Sequence, residues 1–227
     1  MKNIFVTLFF IISCCIVLPA SAAVPVPLVP QKVARLKAAQ GVRQLILVGG
    51  TTDTDALLTF YEKSGSSWKE IFTTHAYIGK NGLGKKKDGD GKTPVGVFRL
   101  TKAFGIAPNP GCALDYTQVD ETHYWVGDSL SPFYNKLVST RDVVEFDKLK
   151  SEHIAEYVRA YQYGFNISYN EAGRPGLGSA IFLHCASGIP YTGGGVAVPE
   201  DFMLRLLHVI QPGCRIVIAR IQDLSRF

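Results

Sequence analysis

Ser179-Ala180-Ile181-Phe182-Leu183-His184-Cys185, a Gly/Pro turn, and then Tyr191-Thr192-Gly193-Gly194-Gly195-Val196-Ala197-Val198-Pro199-Glu200 form the stretch on which the reading of this chain turns. The β-favouring apolar run predicts a strand over Ser179–His184, with a glycine-rich loop after it. Pro199 then opens a helix over Pro199–Ile210. Glu200 and Asp201 fill its acidic first turn, and Met203, Leu206, Leu207 and Ile210 recur at helical spacing. Pro212-Gly213 stops the helix, and Arg215–Arg220 reads as a closing strand. A histidine at a strand end followed by a glycine-rich loop suits catalysis. The strand fixes the imidazole, and small residues let backbone N–H groups approach a developing oxyanion. Taken alone, His184 reads as a satisfied strand-end histidine and Thr192 as an ordinary turn residue.

Working outward, Gln44–Val48, Ala56–Glu62, Trp68–Ile78, Val95–Thr101 and Phe165–Tyr169 carry the composition of further strands, with Gly and Ser at 64–67 making a turn. Gln31–Gln40 fits a short helix. The middle is rich in Gly, Pro and Asn and reads as loop. Tyr124, Trp125 and Tyr134 fit an aromatic core better than a glycan groove. No repeat or composition break divides the chain, so the expectation is one mixed α/β, β-rich domain over 43–227.

Residues 1–22 combine Lys2, an apolar run from Ile4 to Leu18, and Ala20-Ser21-Ala22, the pattern of a secretory signal peptide. An uncleaved anchor, or a lipoprotein signal acylated at Cys14, are the alternatives. Residues 23–42 read as a Pro-containing leader and basic segment, and the N-terminal region up to Arg43 is locally basic (Lys32, Arg35, Lys37, Arg43), which reads as an exposed segment. The chain carries 24 Lys+Arg against 19 Asp+Glu, a formal charge of +5. That excess suits an anionic cell envelope and is too small to argue for nucleic acid. Cleavage would leave Cys112, Cys185 and Cys214, an odd number with no metal-ligand spacing, so neither a metal nor a cofactor is expected. Gly91-Lys92-Thr93 is not a phosphate loop, because Lys86 stands where the required glycine would be. Asp88-Gly89-Asp90-Gly91 lacks the further ligands of a calcium loop and reads as a solvated turn.

With Gly91-Lys92-Thr93-Pro94-Val95-Gly96-Val97-Phe98, Tyr124-Trp125-Val126, the strand ending in His184, the Thr192 loop and the helix from Pro199, the chain resembles the L,D-transpeptidase (YkuD-type) catalytic domain over about Gln44 to Ile218. The resemblance implies a β-sandwich or barrel-type fold with one main helix after the catalytic loop. It also implies action on peptidoglycan stem peptides: a cysteine thiolate displaces the terminal D-alanine of a stem tetrapeptide, and a neighbouring stem's amine takes the resulting thioester. His184 matches the proton-transfer residue. Thr192, Gly193 and Gly194 match the oxyanion loop. Gly195 stands at the nucleophile position, where the family has cysteine. Gly193 and Ala197 stand where many members have a second histidine and an arginine.

Without the thiol, no covalent intermediate forms at residue 195, so the expectation is an impaired, exported, monomeric member acting on stem peptides. The alternative is a non-catalytic wall-binding or regulatory pseudoenzyme. A replaced or misread cysteine codon would give the same sequence, and the codon at 195 discriminates that case. If only the sulfur is missing, Gly195→Cys should restore a reactive thiolate without disturbing the fold. Cys185 follows His184 directly and should face the core, as strand neighbours point to opposite faces.

Overall fold

The computed structural model describes residues 28–227, so the stretch read as a signal peptide (1–22) and the first five residues of the expected leader lie outside the described residues. Strand β1 (Gln44–Gly50) pairs with β2 (Asp55–Ser64), which returns as β3 (Ser67–Tyr77) through a two-residue turn. Gly65 sits there at φ +61°, a backbone conformation open to glycine. The sheet continues through β4 (Gly96–Gly105), β9 (Gly164–Ile167), β10 (Phe182–Cys185), β11 (Val196–Val198) and β12 (Arg215–Arg220). Its order is β12-β1-β2-β3-β11-β10-β9-β4, and β4 pairs back onto β12, closing an eight-stranded barrel. The β3–β11 seam is the narrow one, a single pair at Tyr77 and Ala197. Strand β5 (Tyr116–Gln118) lies alongside the far end of β4. A second sheet of β6 (His123–Trp125), β7 (Leu137–Ser139) and β8 (Glu152–His153) stands in the order β7-β6-β8.

The main core fills the barrel. Ile46 and Val48 of β1, Leu58 and Phe60 of β2, and Ile216 and Ile218 of β12 alternate into it. Helix α2 (Glu200–Val209) contributes Met203, Leu206 and Leu207, with Ile210 just beyond its end. The opposite phase of β1 and β12 (Leu45, Leu47, Val217, Ala219) is also buried, under Val33, Leu36, Ala38, Ala39 and Leu224. Burial on both faces explains why these strands read as unbroken apolar runs.

The covering segment departs from the sequence reading. The helix over 31–40 is broken into α1 (Pro30–Val33) and a single turn at Lys37–Ala39, because Leu36 adopts an extended conformation to bury its side chain. Lys32, Arg35, Lys37 and Arg43 are exposed, yet the residues interleaved with them are packed on the barrel. The described part of the leader is therefore not a free tether. The middle of the chain also holds more strand than expected, in pieces of two or three residues.

A third cluster joins the small sheet to the barrel: Phe104, Val119, Trp125, Ile154, Tyr161 and Phe182. Phe182 is its hub, with ring centroids 4.9 Å from Phe104, 4.7 Å from Trp125 and 5.5 Å from Tyr161, all edge-on.

Candidate functional site

Strand β10 begins at Phe182, three residues later than expected. Ala180 takes a positive φ of 56°, and its N–H donates to the Asn135 side chain (3.1 Å) instead of a sheet ladder. From Phe182 onward the pleat sorts the side chains. Leu183 and Cys185 enter the main core, while Phe182 enters the aromatic cluster and His184 turns toward a cavity of about 400 Å³. His184 Nδ1–H donates to the Cys185 carbonyl (2.9 Å), which leaves Nε2 as the lone-pair nitrogen. Burial pushes the imidazole pKa down to about 4 against the opposing pull of that hydrogen bond, so the ring is neutral at pH 7.

The glycine loop forms the adjoining wall, with Gly193, Gly194 and Gly195 all lining the cavity. Thr192 does not face it. Its buried hydroxyl donates to the Gly195 carbonyl (2.8 Å) and accepts the Gly194 N–H (3.1 Å). Thr93, from the Gly-Lys-Thr-Pro element, donates to the same Gly195 carbonyl (3.0 Å) and accepts the Gly79 N–H (2.8 Å). Two stretches 100 residues apart thus clamp one peptide unit. Asp90 anchors the loop beside them, accepting N–H bonds from Lys86, Lys87 and Lys92 and pairing with the buried Lys85 ammonium at 3.0 Å. Burial works against its ionisation, but these bonds together hold the carboxyl well below the usual carboxylate range. Asp88 and Gly89 form the expected exposed turn, and Asp90 ties it down through these contacts.

A side chain at residue 195 would start beside the histidine. An ideal Cβ there lies 3.3 Å from His184 Nε2, but it also lies 2.5 Å from the Phe182 carbonyl oxygen. Real Cβ atoms do not approach a backbone oxygen that closely, and Phe182 is pinned by its three aromatic neighbours. The expectation that Gly195→Cys leaves the fold undisturbed is therefore corrected, because the backbone has closed on the position. At Gly193 an added Cβ meets nothing within 4 Å. Ala197 lies on β11, buried.

The other thiols offer no substitute. Cys185 is buried in the core with its Sγ toward the Tyr163 carbonyl (3.6 Å), and burial pushes its pKa up to about 12. Cys214 is likewise pushed up to about 12, Cys112 is raised by burial, and all three are free.

The cavity also holds residues that the sequence reading passed over. The Tyr161 hydroxyl donates to Glu152 Oε1, and the Tyr161 ring meets the His184 ring edge-on at 5.5 Å. Burial raises the Glu152 pKa despite that hydrogen bond, and raises that of Tyr161 well above its ordinary value. Asn135 supports the same wall from behind, accepting from Trp125 Nε1 (2.8 Å) and donating to the Tyr169 and Asn170 carbonyls. None of these residues belongs to a local pattern; only the fold brings them together.

The profile of the L,D-transpeptidase catalytic domain (YkuD) matches residues 47–218. The chain belongs to this family. The match runs from β1 to β12 and contains both halves of the Thr93–Thr192 clamp. No curated protein matches the chain. Among solved structures, it is similar to Bd1075 of Bdellovibrio bacteriovorus, at 19% identity and a TM-score of 0.41 over 82% of this chain and 55% of that one. It is also similar to the helical cell shape determining protein Pgp2 of Campylobacter jejuni, at 16% identity and a TM-score of 0.46 over 81% of this chain and 52% of that one. The chain spans about half the length of these structures.

Proposed function

We propose that this L,D-transpeptidase family member is exported to the cell envelope as a monomer. There it holds peptidoglycan stem peptides in the His184 cavity without passing them through a thioester at residue 195. One observation carries the reading: the place where a nucleophile's Cβ would stand is 2.5 Å from the Phe182 carbonyl. The rest of the constellation supports peptide binding. The loop is clamped by two buried hydroxyls, the cavity is of peptide-binding size, and the imidazole presents Nε2 as an acceptor. In a comparable nucleophile-and-base set, loss of the nucleophile leaves only about 10³–10⁴ of acceleration over water, so binding outlasts chemistry.

The test pairs intact mass with calorimetry on the mature protein. A carbapenem, which acylates the cysteine of this family, should leave the mass unchanged. A stem tetrapeptide should bind and be recovered with its terminal D-alanine in place. A covalent adduct, or release of D-alanine, would mean that acyl transfer proceeds through another group and would overturn the reading.

A further inference from the structure

The cavity wall carries two lysines and two carboxylates, and they are not evenly matched. Lys85 is committed to Asp90 at 3.0 Å. Lys150 reaches Asp147 at 3.5 Å and Asp128 at 4.0 Å. Asp88 is exposed, and the Tyr134 hydroxyl donates to both its oxygens (3.1 and 3.2 Å). Glu152 is set further in and receives the Tyr161 hydroxyl. Among the described residues it forms no salt bridge with any lysine, arginine or histidine. His184 offers it no charge, being neutral at pH 7. An ionised carboxylate drawn away from water without a cation is costly to the free protein, and a ligand that brings the cation offsets that cost.

Position reinforces the argument. One tyrosine spans the gap: its hydroxyl is on Glu152 and its ring is against His184. The carboxylate therefore stands on the order of one side-chain length from the imidazole, close enough for one short peptide to touch both.

Resting on the stem-peptide reading above, we propose that Glu152 is the specificity determinant of this cavity and selects ligands bearing a free ammonium group. For a stem peptide, that group is the side-chain amine of a diamino acid at the third position.

The experiment is calorimetry on the mature protein with two synthetic tetrapeptides, identical except that the third-residue side-chain amine is free in one and acetylated in the other. The free amine is expected to bind roughly tenfold or more tightly, the scale of one charge-assisted hydrogen bond. Glu152→Gln is expected to bring the two peptides to within about twofold of each other. Equal affinity of the unmodified protein for both peptides would overturn the role of Glu152 while leaving the stem-peptide reading standing. Binding of neither would overturn that reading and this one together. Because the ligand pair is compared on the unmodified protein, the answer does not depend on the variant folding.

Discussion

Gly193 and Gly195 stand two residues apart in one loop, and both line the His184 cavity. Their surroundings differ. A side chain at 193 would extend into open space, whereas one at 195 would begin against the Phe182 backbone, held by Phe104, Trp125 and Tyr161. The first glycine faces open space; the second is packed as part of the structure. The neighbouring machinery remains ordered around both, with two hydroxyls on the Gly195 carbonyl and His184 fixed by the Cys185 carbonyl. Position 195 is filled by local close packing, while the hydrogen bonds around it are all in place.

The contrast can be broken most forcefully at its hub. Phe182→Ala should cost about 3–5 kcal/mol by denaturant unfolding, since it empties the centre of the aromatic cluster. In that background an added Cβ at 195 should cost less than it does in the unmodified protein, a coupling that a double-mutant cycle would read. Thr93→Val tests the clamp. It leaves the buried Gly79 N–H without its acceptor and removes one donor from the Gly195 carbonyl, for about 2–3 kcal/mol. A pH series tests the imidazole. The folded pKa of about 4 lies below the ordinary 6.5, so the unfolded chain binds more protons between those values. The His184 contribution is therefore fully present above pH 6.5 and is lost as pH falls toward 4, by roughly 3 kcal/mol in all. Subtracting the profile of His184→Gln from that of the unmodified protein isolates this slope from those of other groups.

Much of the barrel was legible in the sequence. The strands β1, β2, β3 and β12 and helix α2 are long enough for composition and periodicity to mark them, and Cys185 went to the core as strand alternation requires. The short strands between 116 and 153 were not legible, because two or three residues carry no period and are held by partners distant in the chain. The site was half legible. His184 and the glycine loop were marked by the family resemblance rather than by their own chemistry, and Thr93 and Thr192 both lay in singled-out elements. Their meeting on one carbonyl is a product of the fold. Glu152 and Tyr161 had no local signal at all, since their hydrogen bond depends on the small sheet docking beside β10. The contact between residue 195 and Phe182 lay equally beyond the sequence, because it is a distance between backbones.

The central claim, that position 195 is closed and position 193 is open, is tested most directly by Gly195→Ala and Gly193→Ala, compared by denaturant unfolding at one pH. Each adds a single methyl and no chemistry. Gly195→Ala should lose at least about 2 kcal/mol, the cost of overpacking against a fixed backbone, while Gly193→Ala stays within about 0.5 kcal/mol of the unmodified protein. Equal and small effects at both positions would contradict the account, and would mean that position 195 has room for a side chain.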